Sequence, residues 1–111
     1  MGRWPNVVHA LVNALDDKKA SNINVKYIRN DTKKAIADYE IIATARNERM
    51  LGALSDVVVE VLDKHDRPIH HIEGKKARST WILIDAFTII VHLFTKDARA
   101  EYNLEGLYEE K

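Results

Sequence analysis

The chain has 111 residues, 46% hydrophobic and 31% charged, a composition typical of one soluble globular domain over residues 1–111. Seventeen basic residues balance seventeen acidic ones, so the net charge of zero favours a protein partner over direct contact with RNA phosphates. The absence of cysteine excludes disulfides and thiolate metal sites and fits a reducing cytoplasm, and no apolar run is long enough to cross a membrane.

The first half of the chain predicts two helices and two strands. A helix is expected to begin near Pro5, because proline suits the first helical position and apolar residues follow at helical spacing. Alternating apolar and polar residues at 23–27 predict a half-buried strand. Residues 39–44 predict a second strand that is apolar on both faces, and a long apolar stripe over residues 47–64 predicts the second helix.

The second half predicts three strands. Residues 69–72 form a short strand, and residues 80–85 and 88–94 form two longer ones. Only Ala86 and Phe87 separate the longer strands, so an antiparallel hairpin is expected. Neither residue readily takes a positive φ, which leaves a bulge or a shift of register open.

A last helix is expected to begin at Thr95 or Asp97, because either side chain can cap a helix. The order of elements then predicts an α/β or α+β domain. Its sheet is mixed, with about five strands, and the helices pack mainly on one face.

The predicted hairpin has two different faces. With a two-residue turn at 86–87, Leu83 lies opposite Ile90. Trp81 then lies opposite His92. One face carries Trp81, Leu83, Asp85, Ile90 and His92, whereas the other is aliphatic throughout. Because two long helices can cover only one side of so small a sheet, we expect them on the aliphatic face.

The mixed face has two interpretations. An apolar face that carries a tryptophan and has no covering helix is typical of a binding surface, since tryptophan is enriched at the energetic centres of interfaces. Alternatively, the last helix or a second copy of the chain covers this face, and Trp81 is an ordinary core residue. The pattern alone leaves both open.

Few residues are spaced for catalysis or metal binding. Asp38 and Glu40 lie two apart on a predicted strand, as acids for two-metal phosphoryl or nucleotidyl transfer must, although an exposed strand edge is the simpler explanation. His92 lies in an apolar strand, where a hydrogen-bonded core histidine is commoner than a ligand or a base. Glycine-rich phosphate loops and nucleophile motifs are absent. We therefore expect no enzyme, cofactor or metal, with a transferase that uses Asp38 and Glu40 as the alternative.

Short motifs at characteristic spacing extend from about Leu11 to Tyr108. They are Asp17-Lys18-Lys19-Ala20 followed by Ile23; Asp38-Tyr39 with Ile41-Ile42-Ala43-Thr44; Glu73-Gly74; Trp81-Ile82-Leu83-Ile84-Asp85; Val91-His92-Leu93-Phe94; and Arg99, Tyr102, Leu104-Glu105 and Leu107. On these motifs the chain resembles the ribosomal silencing factor family, also called the Iojap-like family.

The chain departs from the family pattern at three places. The family usually has glycine where this chain has Ala45, and tryptophan where it has Tyr108. It has a Tyr-Gly-Asp turn where this chain has Ala86-Phe87-Thr88. The changed turn bears on the hairpin register, whereas the flanking strands and the terminal motif match.

The resemblance implies a nucleotidyltransferase-like fold without that superfamily's catalytic Gly-Ser and paired acids. It also implies binding to the fourteenth protein of the large ribosomal subunit, which blocks association with the small subunit and represses translation. Relatives in mitochondria and chloroplasts act in assembly of the large subunit, and many members are dimeric when free.

Together, the face analysis and the resemblance predict a contact surface for a ribosomal protein. Its residues are Trp81, Leu83, Asp85, Ile90, His92, Phe94 and Tyr102. For Phe94, core packing is the favoured alternative, and Asp85 is expected either to cap the turn or to pair with a partner's cation. Arg99 and Tyr102 equally well fasten the last helix to the sheet, and Glu73-Gly74 is expected to shape the entrance to the next strand.

Overall fold

The computed structural model describes residues 4–28 and 37–102 and confirms the predicted order of elements. They are α1 (Asn6–Asp17), β1 (Ser21–Tyr27), β2 (Tyr39–Ala45), α2 (Glu48–Lys64), β3 (His71–Glu73), β4 (Trp81–Ala86), β5 (Ile89–Thr95) and α3 (Lys96–Tyr102). The terminal motif at 104–108 lies outside the described residues.

The five strands form one mixed sheet in the order β1-β2-β5-β4-β3. β2 and β5 are parallel neighbours, and every other pair of adjacent strands is antiparallel. The parallel pair is possible because α2 and the next two strands separate β2 from β5 along the chain, which gives the long crossover that parallel strands need. β2 therefore lies inside the sheet, and this explains why its sequence is apolar on both faces.

α1 and α2 pack on the aliphatic face of the sheet, as predicted. The Oδ1 atom of Asn47 accepts a hydrogen bond from the backbone N–H of Met50 at 2.8 Å and caps the start of α2. The core between helices and sheet includes Leu11, Leu54, Val58, Ile84 and Val91. Burying one such side chain contributes roughly 1.5–3 kcal/mol, so this layer is the main source of stability. No helix among residues 4–28 and 37–102 is long and apolar enough to cross a membrane.

The hairpin between β4 and β5 turns one residue later than predicted. Ala86 pairs with Ile89, so the turn residues are Phe87 and Thr88 rather than Ala86 and Phe87. Phe87 has a φ of 67°, which its sequence did not lead us to expect. The carboxylate of Asp85 accepts a hydrogen bond from the backbone N–H of Phe87 at 3.0 Å, so Asp85 caps the turn and stabilises this conformation.

The later turn corrects the predicted strand register. Leu83 lies opposite His92 rather than Ile90, and Trp81 lies opposite Phe94 rather than His92. Because the shift is two residues and side chains alternate with a period of two, every residue keeps its predicted face.

The third strand also lies later than predicted, at His71–Glu73 instead of residues 69–72. It pairs with β4 from His71 opposite Asp85 onward. β4 ends at Ala86, where the hairpin turns, so residue 69 has no strand residue opposite it. The start of β3 is therefore set by where β4 ends, and the local sequence around residue 69 does not show this.

Gly74 shapes the approach to β4, as expected for the Glu73-Gly74 motif. Its φ is 83°, and an added Cβ would lie 2.2 Å from the backbone oxygen of Trp81. The same oxygen accepts a hydrogen bond from the hydroxyl of Ser79 at 3.0 Å. Gly74 is therefore required both by its backbone conformation and by lack of space.

We expect Gly74→Ala to lower the free energy of unfolding by about 2–4 kcal/mol, from the left-handed backbone and the clash with the Trp81 carbonyl. Urea unfolding followed by circular dichroism measures this loss. Gly52→Ala is the matched control: Gly52 lies in α2 with nothing within 4 Å of the added methyl, and we expect a gain of about 0.5–1 kcal/mol. Equal effects of the two substitutions would contradict the assignment.

Candidate functional site

The sheet face opposite α1 and α2, here called the open face, carries the residues predicted for partner contact. β4 and β5 contribute Trp81, Leu83, Asp85, Ile90, His92 and Phe94 to it. The parallel pairing of β2 with β5 adds three more residues, Glu40, Ile42 and Thr44, beside Ile90, His92 and Phe94. The open face therefore extends beyond the two strands that sequence reasoning had assembled.

α3 covers one end of the open face. Ala98 packs with Ile42 and Phe94 in a small second core, and Trp81 packs against this core from the side. Phe94 is 0% exposed, so its placement in the predicted contact surface was wrong and the alternative of core packing is what the structure shows. The physical reason is that α3 follows β5 directly and folds back over Phe94, the last residue of β5 on the open face.

Arg99 fastens α3 to the sheet. Its Nη1 atom donates a hydrogen bond to the hydroxyl of Thr44 at 2.7 Å and another to the backbone oxygen of Asn22. Asn22 lies in the irregular part of β1 and has a φ of 48°, which asparagine tolerates better than most residues. Thr95, one of the two predicted caps, accepts a hydrogen bond from the backbone N–H of Ala98 at 3.4 Å. The side chain of Tyr102 lies outside the described residues.

The rest of the open face near the hairpin is half-buried. Trp81, Leu83, Asp85 and Ile90 are all of intermediate exposure, and we call these four residues the hairpin patch. Three of them are apolar, and Asp85 lies at the edge, where it caps the turn. A tryptophan, a leucine and an isoleucine partly open to solvent on adjacent strands form a surface with the chemistry of a protein interface.

A chain of polar contacts lies under the tryptophan. The indole Nε1–H of Trp81 donates to Nδ1 of His92 at 3.3 Å, and Nε2 of His92 lies 3.1 Å from Oε2 of Glu40. The indole also stacks on Phe94, with ring centroids 5.1 Å apart and an interplanar angle of 26°. His92 is 8% exposed and Glu40 is 1% exposed. His92 is therefore a hydrogen-bonded, buried histidine that lies beneath the hairpin patch, which agrees with the expectation of a core histidine and corrects its place in the predicted contact surface.

Asp38 and Glu40 do not present a pair of carboxylates to solvent. Glu40 is buried on the open face and faces His92, whereas Asp38 precedes β2 and is half-buried. Within residues 4–28 and 37–102, no three side chains of the histidine, aspartate or glutamate type are grouped to hold a metal ion. Sequence reasoning missed the contact between Glu40 and His92: the sequence shows a titratable residue in each of two apolar strands, but not that the two strands are neighbours.

A separate cleft of about 590 Å³ lies where β2 and β5 end and α2 and α3 begin. Its charged lining residues are Arg46, Arg49 and Lys96 together with Glu48 and Asp97. Sequence reasoning missed this cleft, because it depends on β2 and β5 being neighbours. Its opposite charges nearly balance, and its geometry does not favour a particular ligand.

The fold and the open face define a class of protein: an α+β domain with one mixed sheet, helices mainly on one side, and a tryptophan-bearing patch on the other. A family model described as "Ribosomal silencing factor during starvation" matches residues 3–111. The chain therefore belongs to this family, which confirms the resemblance seen in its motifs. The family's description is that of a regulator of ribosomes and not of an enzyme.

Known relatives agree with this assignment. The ribosomal silencing factor of Halalkalibacterium halodurans is 37% identical over 87% of this chain and 80% of its own length. That of Zymomonas mobilis is 34% identical over 94% of this chain and 77% of its own length. A crystal structure of a Chromobacterium violaceum protein superposes with a TM-score of 0.85 at 26% identity, covering 96% of this chain and 87% of that one.

A mouse protein named for mitochondrial assembly of the large ribosomal subunit is also similar. It is 29% identical over 91% of this chain, but the match covers only 44% of the mouse protein. The similarity therefore concerns one part of that longer protein.

Proposed function

We propose that this chain binds the large ribosomal subunit through its fourteenth ribosomal protein, blocks association with the small subunit, and so represses translation in the cytoplasm. The observation that carries this proposal is the hairpin patch, in which Trp81, Leu83 and Ile90 remain half-buried on a face that α3 covers only at one end. Membership of the silencing factor family supports the ribosome as the target. No bond is made or broken, and occupancy of the subunit is the activity.

A protein rather than RNA is the proposed contact. The chain has 17 basic and 17 acidic residues, and the hairpin patch itself contains one carboxylate, Asp85, and no cation. Phosphate contacts need lysine or arginine, whereas an apolar patch around a tryptophan gains free energy by losing water against another apolar surface. Asp85 at the edge of the patch is available to a basic side chain of the partner.

Sedimentation tests the proposal directly. We expect the protein to pellet with isolated large subunits through a sucrose cushion, and not with small subunits or with joined ribosomes, because joining hides the contact surface. Adding the protein to large subunits before they are mixed with small subunits should reduce the fraction of joined ribosomes in a sucrose gradient. Equal pelleting with large subunits and with joined ribosomes would contradict steric blocking.

A second proposed function is assembly of the large subunit, which the name of the mouse relative favours. The two functions use the same partner and differ in the particle that is bound. A silencing factor binds mature large subunits, whereas an assembly factor prefers precursors that lack late ribosomal proteins. Comparing pelleting with mature subunits and with precursors from growing cells separates them.

A second copy of the chain is the competing occupant of the hairpin patch, which corresponds to a dimer of the free protein. Light scattering of the wild type and of Trp81→Ala distinguishes the two occupants. If the patch is a dimer contact, the wild type is dimeric and the variant is monomeric. If the patch is kept for the ribosome, the substitution leaves the molar mass unchanged and weakens only subunit binding.

A further inference from the structure

Glu40 is an unusual residue for its position in the sheet. It lies in the interior strand β2 and is 1% exposed, and the five residues that follow it in the strand are also buried. One carboxylate oxygen, Oε2, contacts His92, while the other, Oε1, has no hydrogen-bond partner within the described structure. A buried carboxylate with an unsatisfied oxygen lowers stability, so its presence calls for an explanation other than stability.

The contacts of His92 determine where its proton lies. An indole N–H can only donate, so Nδ1 of His92 must accept the hydrogen bond from Trp81 through its lone pair. The single ring proton is therefore on Nε2, and it is donated to Oε2 of Glu40. Glu40 thus selects the tautomer in which His92 can accept from Trp81, as second-layer carboxylates do for histidines elsewhere.

We propose that Glu40 and His92 are positioning residues for Trp81: they hold the indole in one orientation before any partner arrives. The hydrogen bond to His92 fixes the polar edge of the ring, and the stack on Phe94 fixes its face, at a centroid distance of 5.1 Å. The consequence for binding rests on the proposed function of the hairpin patch. An aromatic anchor that is already ordered loses less side-chain entropy on docking.

The positioning can be tested in the free protein. The chain has two tryptophans, and Trp4→Phe removes the other one, so that the decay of fluorescence anisotropy reports the motion of the Trp81 ring alone. Nitrogen-15 NMR of His92 reports the tautomer, and we expect a protonated Nε2 and an unprotonated Nδ1. A proton on Nδ1 in this parent protein overturns the proposal, whatever any variant does.

Two substitutions at Glu40 separate positioning from packing. Glu40→Leu keeps the volume but cannot accept a hydrogen bond, so we expect mixed tautomers of His92 and a faster anisotropy decay of Trp81. Glu40→Gln retains an acceptor oxygen and should restore the parent values of both. We expect both variants to keep a native far-ultraviolet circular dichroism spectrum, although Glu40→Leu leaves the buried Nε2–H of His92 without its acceptor. An unchanged tautomer and decay in Glu40→Leu overturn the proposal.

Binding to large subunits completes the test. We expect Glu40→Leu to weaken binding about three- to tenfold, the cost of ordering one aromatic side chain, and Glu40→Gln to bind like the parent. If the anisotropy of Trp81 decays faster in Glu40→Leu but the variant binds large subunits as tightly as the parent, positioning has no role in docking and the inference fails. If Trp81→Ala binds as tightly as the wild type, the proposed docking surface fails instead, while the tautomer result in the free protein stands.

Discussion

Trp81→Ala is expected to weaken binding to isolated large ribosomal subunits by about 30-fold or more, the effect of removing a central aromatic residue from an interface. Trp81 is half-buried on the open face, and it has the largest side chain in the hairpin patch. Its truncation removes apolar area that a partner would cover and also leaves the hydrogen-bond acceptor on His92 without its donor. Pelleting at a series of subunit concentrations measures the change.

The matched control is the other tryptophan of the chain. Trp4 lies just before α1, is 36% exposed and contacts His9, with ring centroids 5.1 Å apart. Trp4→Ala makes the same chemical change away from the open face, so we expect subunit binding within about twofold of the wild type. Wild-type affinity in Trp81→Ala would show that the hairpin patch is not the docking surface.

Trp81→Phe separates loss of binding from loss of fold. Phenylalanine keeps a ring that can stack on Phe94 but has no N–H to donate to His92. We expect this variant to keep a native far-ultraviolet circular dichroism spectrum and to bind with an affinity between those of the wild type and Trp81→Ala. If Trp81→Ala unfolds whereas Trp81→Phe is native and binds fully, Trp81 is a core residue.

Phe94→Ala is expected to have the largest effect on stability, a loss of about 3–5 kcal/mol in the free energy of unfolding. Phe94 is 0% exposed and lies between Trp81, Ile42 and Ala98, so its truncation opens a cavity under α3. Urea unfolding measures the loss. Native domains are stable by only about 5–15 kcal/mol in total, so this loss is a large fraction of the free energy of unfolding.

Phe87→Ala is the matched control for this prediction. Phe87 is 50% exposed at the hairpin turn and has its ring near that of His70, with a centroid distance of 5.0 Å. The same substitution there should cost less than about 1 kcal/mol, since half of the residue is already exposed to water. Comparable losses at the two positions would contradict the assignment of Phe94 to the core.

Most of the fold could be predicted from the sequence because it depends on local periodicity. Alternation over residues 23–27 and the long apolar stripe of α2 each report the geometry of one element. The faces of the hairpin also followed from the alternation of Trp81 to Asp85, and they survived a register error of two residues. The family could also be recognised from local sequence, because each of its motifs is a short segment and the motifs follow one another in order along the chain.

Only the tertiary structure decided which residues of different elements meet. Phe94 and Leu83 lie on one face by the same alternation, yet α3 folds over the first and leaves the second half-buried. The contact between Glu40 and His92 exists because β2 and β5 are parallel neighbours, 50 residues apart in the chain, and no local pattern contains that pairing. Side-chain alternation is a property of a few consecutive residues, whereas burial and hydrogen bonding across the sheet depend on how distant segments pack.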